Sequence, residues 1–189
     1  PAEIDFNDTE TFLQKYQEFV EYVYEQFGDK VKVWMTFHDP WSMIYNANAG
    51  IWPGQKNNDQ IYQTYSNILQ AHANAFDYLK SKDQSNSITL GLKANWYETK
   101  DEENLDDAFR SMDYSFNILA EPMLSGEWPE SLSENARKVP LPKNIKGAYD
   151  VFAVIPSDPL YAEPCFEAKN NVFDADWCID KEPMSYQLN

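Results

Sequence analysis

Residues 30–45, KVKVWMTFHDPWSMIY, carry the clearest structural signal in the chain. Their first half predicts a buried β-strand, because every second side chain is apolar: Val31, Val33, Met35 and Phe37. His38 and Asp39 follow, and Pro40 ends the strand because proline has no N–H to give to a neighbouring strand. Since α/β folds place their functional side chains at the carboxyl ends of parallel strands, His38 and Asp39 are candidate site residues.

Helices and strands are predicted to alternate along the rest of the chain. Apolar residues at helical spacing predict three helices, at residues 12–27, 65–79 and 105–119. Gly28 is expected to end the first helix and Pro122 the third. Other apolar runs predict strands at residues 31–37, 87–92 and 149–155. This order implies an α/β fold of parallel strands joined by right-handed crossovers.

The composition excludes several classes of partner. A formal charge of −16 argues against nucleic acid and anionic membrane surfaces, because both attract Lys and Arg. No stretch is long and apolar enough for membrane insertion, and the first residues lack the features of a signal peptide. The 189 residues predict one domain, and a start at Pro1 without a methionine predicts a processed chain or a segment of a longer one.

The motif TFHDP at residues 36–40 resembles the Thr-Phe-Asn-Glu-Pro signature of glycoside hydrolase family 1, which includes β-glucosidases, lactase-like enzymes and klothos. Further segments resemble that family in the same order, among them residues 24–34, 50–54, 67–73, 90–98 and 146–150. The resemblance implies that residues 1–161 form a partial (β/α)8 TIM-barrel segment, roughly barrel strands four to six, with parallel strands and crossover helices. Residues 162–189, which lack periodicity, are predicted to form an irregular C-terminal tail.

The resemblance also implies roles for particular residues. In the family, the motif glutamate is the catalytic acid/base and the asparagine before it contacts the sugar 2-hydroxyl. Asp39 and His38 stand in those two positions here, so Asp39 is a degenerate acid/base position and His38 a candidate for substrate binding. Trp41 and Trp52 follow on the loop beside the expected pocket and are candidates for carbohydrate contact.

Other conspicuous residues are predicted to be structural. His72 falls on the apolar face of a predicted helix and is expected to be a core histidine with satisfied hydrogen bonds. Trp34 and Trp96 occupy positions that the family uses for packing. With only two histidines in the chain, no metal site is predicted, and no cofactor is expected.

The departures from the family pattern decide the functional interpretation. Strand six of the family ends in Asn-Tyr-Tyr-Thr, where residues 155–158 read IPSD, and nothing after Asp158 resembles the strand that carries the nucleophile. We therefore predict a catalytically degenerate domain, inactive as this chain alone, that is a structural or binding part of a larger secreted or cell-surface protein. The alternative is a segment of an active retaining β-glycosidase, with Asp39 as acid/base and the nucleophile outside this chain.

The length of the chain predicts a partner. A complete (β/α)8 barrel usually needs about 250 residues, and this chain has 189. The rest of a larger polypeptide, or another subunit, is therefore expected to complete the barrel, with carbohydrate as a further candidate ligand.

Two features are compatible with an extracellular location. Residues 7–9, Asn-Asp-Thr, form a glycosylation sequon at Asn7, although the same residues also fit the start of a helix. Cys165 and Cys178 lie in the predicted tail, where they could form a disulfide or remain reduced. The sequence leaves both alternatives open.

If the protein is extracellular, Cys165 and Cys178 are expected to be joined. The bond would close a loop of about a dozen residues and stabilise it by about 3 kcal/mol through loss of chain entropy in the unfolded state. Mass spectrometry of peptides from the non-reduced protein should show the linked pair. Two thiols that react with an alkylating agent in the native protein would contradict both the bond and the location.

Overall fold

The fold was obtained as a computed structural model, which describes residues 8–48, 61–99, 105–157, 159–162 and 179–183. Its helices are α1 (Thr9–Phe27), α2 (Pro40–Asn48), α3 (Ile61–Lys82), α4 (Leu105–Met112), α5 (Ile118–Ser125) and α6 (Glu134–Arg137), with a π-helical turn at Asp113–Asn117. Its strands are β1 (Val33–His38), β2 (Ser87–Ala94), β3 (Tyr97–Glu98), β4 (Ala153–Pro156), β5 (Leu160–Ala162) and β6 (Ile179–Pro183).

The main sheet has the order β1-β2-β4, and both strand pairs are parallel. The chain passes from β1 to β2 through α2 and α3, and from β2 to β4 through α4, α5 and α6. A second, smaller sheet has the order β3-β5-β6. Parallel strands joined by helical crossovers confirm the predicted α/β class.

The core lies between the main sheet and α3. Ile68 and Leu69 of α3 are fully buried, and Leu90 and Leu92 of β2 face the same apolar cluster. Burying one such side chain stabilises the fold by about 1.5–3 kcal/mol. Because most residues of α3 are buried against the sheet and its neighbours, the helix holds β2 in the centre of the sheet. The position of β2 in turn fixes the strand ends.

The prediction that Val33 and Met35 are buried is wrong. Their exposed fractions are 68% and 44%. The alternation along β1 is present, but the other set of side chains faces the helices: Trp34 contacts Tyr24 of α1 with ring centres 5.7 Å apart. Val33 and Met35 point to the opposite face of the sheet, which no element within the described ranges covers.

A register shift lies in β1 between Met35 and His38. It places Phe37 against α1, where its ring stacks on Tyr16 at 4.5 Å. The shift means that β1 has one residue more than β2 between these positions. An extra residue in a strand changes the direction of the side chains that follow it. Here the shift is what turns His38 away from the helices at the end of the strand.

Pro122 does not end the third predicted helix. The predicted single helix consists of α4, the π-helical turn and α5, and Pro122 lies inside α5. Proline removes only its own N–H, and the regular hydrogen-bond ladder is already altered in the π-helical turn before it. The helix ends at Gly126, whose φ of +83° is left-handed and whose N–H donates to the Pro122 carbonyl at 2.9 Å.

The last predicted strand begins later than expected, at Ala153 instead of residue 149. Side-chain contacts hold the preceding segment: the Asp150 carboxylate accepts a hydrogen bond from the Ile88 N–H at 2.9 Å and pairs with Lys80 at 2.7 Å. The prediction of an irregular tail is wrong for Ile179–Pro183, which pairs antiparallel with β5. Its sequence, IDKEP, lacks an apolar alternation, because backbone pairing at a sheet edge does not require one.

His72 connects three elements, as expected of a core histidine. Its Nε2 lies 2.6 Å from the Ala148 carbonyl oxygen and its Nδ1 lies 2.7 Å from the Thr36 hydroxyl. Because a carbonyl can only accept, Nε2 carries the proton and Nδ1 accepts from Thr36. The side chain is fully buried, and burial lowers the pKa of His72 to about 4.

His72 should make the fold sensitive to mild acid. Since its pKa falls from 6.5 to about 4 on folding, the stabilisation is complete above pH 6.5 and is lost as the pH drops towards 4. The loss is about 3 kcal/mol, because each pKa unit corresponds to about 1.4 kcal/mol. Urea unfolding at several pH values would measure it.

The matched variants are His72→Gln and His38→Gln. His72→Gln should be less stable at pH 7 but should lose less further stability between pH 6.5 and 4 than the unchanged chain. His38 is exposed at the end of β1, so His38→Gln should retain the full loss. Equal pH dependence in His72→Gln and the unchanged chain would contradict the assignment.

Candidate functional site

The candidate site lies at the carboxyl ends of β1 and β2, with Asp39 at its centre. The Asp39 N–H donates to the Gly91 carbonyl at 3.0 Å and so continues the pairing of the two strands. The Asp39 Oδ1 accepts a hydrogen bond from the Ser42 N–H at 3.0 Å. Pro40 begins α2, so Asp39 is the N-cap of this helix, a position in which aspartate is favoured.

The backbone at Asp39 is left-handed, with a φ of +50°. Asp and Asn adopt this conformation more readily than other non-glycine residues, because their short side chains hydrogen-bond locally. The turn from strand to helix therefore depends on the residue type at this position. α2 itself was not predicted from the sequence, although Asp39-Pro40 has the signature of a helix start.

His38 pairs with Gly91 across the strands, and its side chain is exposed. The neighbouring Gly91 allows β1 to approach closely, since a Cβ there would lie 2.9 Å from the Met35 sulfur and 3.2 Å from the Phe37 carbonyl. The structure thus brings His38 and Asp39 to one strand end, as the sequence predicted. Their assignment to substrate binding and acid/base chemistry stays a prediction.

Trp41 is 6% exposed and packs inside the molecule. Its ring stacks on Tyr45 at 5.2 Å, and its indole N–H donates to the Tyr114 carbonyl at 3.0 Å. These contacts cover most of the ring. Little of the Trp41 side chain is therefore exposed for contact with carbohydrate, and this contact stays a prediction.

Trp96 differs from its predicted role as a packing residue, since 56% of it is exposed. It lies between β2 and β3, and its indole N–H donates to the Glu98 carboxylate at 3.0 Å. Sequence patterns could not have revealed this exposure, because it depends on which loops cover the strand end. An exposed ring beside a carboxylate is a combination that suits contact with a polar ring ligand.

Lys93 was not predicted as a site residue, yet it contacts Ser42 and Trp41 at the start of α2. Its Nζ is 3.1 Å from the Ser42 Oγ and 5.2 Å from the centre of the Trp41 ring. Alternation along β2 could have identified it: Leu90 and Leu92 face the core, so Lys93 lies on the opposite face.

Two buried polar atoms lie close to this site. Within the described part of the chain, Tyr65 Oη and Asn95 Oδ1 have no hydrogen-bond partner. Burial first, and then the negative charge of Asp39, raises the pKa of Tyr65, so this phenol stays protonated over the physiological range. Asn95 uses its amide group instead, donating to Tyr97 Oη at 3.0 Å.

Several predicted positions fall outside the described residues, namely Asn7, Trp52, Cys165 and Cys178. Across the ranges that the structure does describe, no three His, Cys, Asp or Glu side chains cluster in a way that could hold a metal ion. In those same ranges, no helix combines the length and the apolar character needed to cross a membrane.

Comparison with known proteins gives consistent results. The model of glycosyl hydrolase family 1 matches residues 4–155. A putative β-glucosidase 41 from Arabidopsis thaliana is 30% identical over 164 residues, covering 74% of this chain and 31% of the relative. A furostanol glycoside 26-O-β-glucosidase from Hellenia speciosa is 26% identical, covering 75% of this chain and 29% of the relative.

Among solved structures, a rice β-glucosidase superposes with a TM-score of 0.79 at 18% identity, covering 93% of this chain and 43% of that chain. This likeness shows the fold, which is an α/β segment of a TIM barrel. The chain spans about a third of the length of the curated relatives quoted above. With the family model matched over most of its residues, the chain belongs to glycosyl hydrolase family 1.

Proposed function

We propose that this chain is a catalytically degenerate β-glucosidase-like segment, a structural or binding part of a larger secreted or cell-surface protein. The observation that carries the proposal is the hydrogen bond from the Ser42 N–H to Asp39 Oδ1 at 3.0 Å. This contact holds the carboxylate against the first turn of α2 and leaves only its second oxygen to deliver a proton to a leaving group.

The length of the Asp39 side chain also supports the proposal. Aspartate is one methylene shorter than the glutamate of the family motif, and its left-handed backbone directs it to the first turn of α2. A displacement of about 1 Å at a reacting group can lower the rate by about a hundredfold. Asp39 is therefore better placed to hold α2 than to reach a glycosidic oxygen.

One observation favours the alternative, a segment of an active retaining β-glycosidase. Among the described residues, only Oδ1 of Asp39 has a hydrogen-bond partner, so Oδ2 is available as an acid/base atom. Retaining hydrolysis would still need a nucleophilic carboxylate about 5–5.5 Å from Asp39. In this alternative the nucleophile is supplied from outside this chain.

The edges of the main sheet support completion by further polypeptide. β1 and β4 are its outer strands, and each carries exposed apolar side chains. Val33 is 68% exposed beside one edge, and Val151 and Val154 are each 51% exposed beside the other. Free strand edges with apolar side chains are prone to association unless another strand pairs with them.

The purified chain is expected to show no turnover of aryl β-glucosides or β-galactosides. Asp39 alone could contribute only about 10²–10⁴-fold as a general acid, which is short of the 10⁶-fold or more that enzymes typically reach. Release of the aryl group, followed by absorbance, measures this. Turnover by the chain that is lost in Asp39→Asn would establish the alternative instead.

Two substitutions separate the cap from the acid. Asn caps helices about as well as Asp, so Asp39→Asn should unfold in urea at nearly the same concentration as the unchanged chain. Asp39→Ala removes the cap and should lose about 0.5–2 kcal/mol, with additional strain from its left-handed backbone. If Asp39→Ala were as stable as Asp39→Asn, the capping role would be wrong.

The isolated chain is expected to associate through its sheet edges. Size-exclusion chromatography and native mass spectrometry should show oligomers or aggregates at micromolar concentration. A lysine on each edge, in Val33→Lys with Val154→Lys, should reduce the association, because charged side chains disfavour edge pairing. Tyr22→Lys is the control, since Tyr22 is 62% exposed on α1 and outside the sheet. A stable monomer that unfolds cooperatively would contradict the proposal.

A further inference from the structure

The ammonium group of Lys93 is held in place by two neighbouring side chains at the carboxyl end of β2. The side chain is half-buried, and its Nζ donates to the Ser42 Oγ at 3.1 Å. The same Nζ lies 5.2 Å from the centre of the buried Trp41 ring. A hydroxyl and an aromatic face therefore hold the charge in one place without neutralising it.

Lys93 has no carboxylate at ion-pair distance among the residues that the structure describes. Other lysines of this part of the chain do: Lys32 pairs with Asp83 and Lys80 with Asp150, both at 2.7 Å. The contrast is informative because Asp and Glu outnumber Lys and Arg by 31 to 15. An ammonium group has three N–H donors, and only one of those on Lys93 has an acceptor here.

His38 lies on the same face of the sheet as Lys93. It is opposite Gly91 in the register, and Lys93 follows Gly91 by two residues on β2. Side chains two residues apart on a strand point to one face. His38 is exposed, so its ring can offer an N–H to a ligand beside Lys93.

The Asp39 carboxylate is held by the backbone at the start of α2. Its Oδ1 is bound to the Ser42 N–H, while the Ser42 Oγ accepts from Lys93. Ser42 thus lies between the acid and the ammonium group. The charge of Asp39 lowers the affinity for an anion without occupying the free donors of Lys93.

We propose that Lys93 and His38 bind the anionic group, a carboxylate or a phosphate ester, of a sugar ligand at the carboxyl ends of β1 and β2. The sugar part of this inference rests on the proposed binding role of the segment. The anionic group is recognised by the free N–H donors of Lys93, which are fixed against Trp41, and by the exposed ring of His38.

Isothermal titration of the full chain with three probes tests the inference. Glucuronate and glucose 6-phosphate carry the two kinds of anion, and glucose is the neutral control. At least one anionic probe should bind tenfold or more tightly than glucose, because a charge-assisted hydrogen bond is worth at least that factor. Whichever anionic probe binds more tightly identifies the anion.

Three variants assign the effect to Lys93. Lys93→Met should lower the affinity for the anionic probe by about tenfold or more, and Lys93→Arg should keep most of it because the charge remains. Lys143→Met, at an exposed lysine away from the strand ends, is the matched control and should bind like the unchanged chain. Urea unfolding checks that each variant is folded.

Equal affinity of glucose and both anionic probes, or of Lys93→Met and the unchanged chain, would overturn the inference. The test is independent of the proposed degeneracy. Turnover of an aryl glycoside would refute the degenerate function and leave the titration intact, whereas failure of the titration would leave the absence of turnover unchanged.

Discussion

The arrangement of the sheet depends on two hydrogen bonds made by the buried side chain of His72. It accepts from Thr36 on β1 and donates to the Ala148 carbonyl before β4, at 2.7 and 2.6 Å. These two segments flank β2 on opposite sides, so one side chain on α3 fixes the spacing of all three strands against that helix. Removing it would leave the buried Ala148 carbonyl without this partner, at a cost of about 1–3 kcal/mol. The half-buried Thr36 hydroxyl would keep the Thr89 carbonyl oxygen as an acceptor at 3.3 Å.

The same constraint positions the strand ends. Thr36 is held by His72, and the register shift that follows places Phe37 on Tyr16 and His38 on the other face. Asp39 then pairs with Gly91 through its N–H and starts α2 through its carboxylate. The geometry of the candidate site therefore follows from the packing of Thr36 and Phe37, which precede it on β1.

The sequence predicted the parallel α/β arrangement because helical and strand periodicities depend only on local spacing. It failed where the outcome depends on distant partners. Val33 and Met35 have the pattern of a buried strand, yet α1 and α3 cover the other face, and periodicity does not say which face a helix will cover. The local rule that predicts a helix end at Pro122 cannot anticipate the π-helical turn before it.

In the candidate site, too, local sequence signals predicted some residues, whereas residues that depend on distant contacts were missed. His38 and Asp39 were identified because a polar pair at a strand end is a local signal. Lys93 was not, because its importance arises from Ser42 and Trp41, which are distant in sequence and are brought to it by α2. The contacts of Lys93 with Ser42 and Trp41 thus depend on α2, a helix that the sequence analysis did not predict.

Ser42 couples the two chemical features of this strand end. Its N–H binds the Asp39 carboxylate and its Oγ accepts from Lys93. A change that pulled Asp39 towards a glycosidic oxygen would open the first turn of α2 and, with it, move the hydroxyl that positions the Lys93 ammonium. The two side chains are therefore coupled through one helix start, so a displacement of the Asp39 carboxylate would also disturb the position of the Lys93 ammonium group.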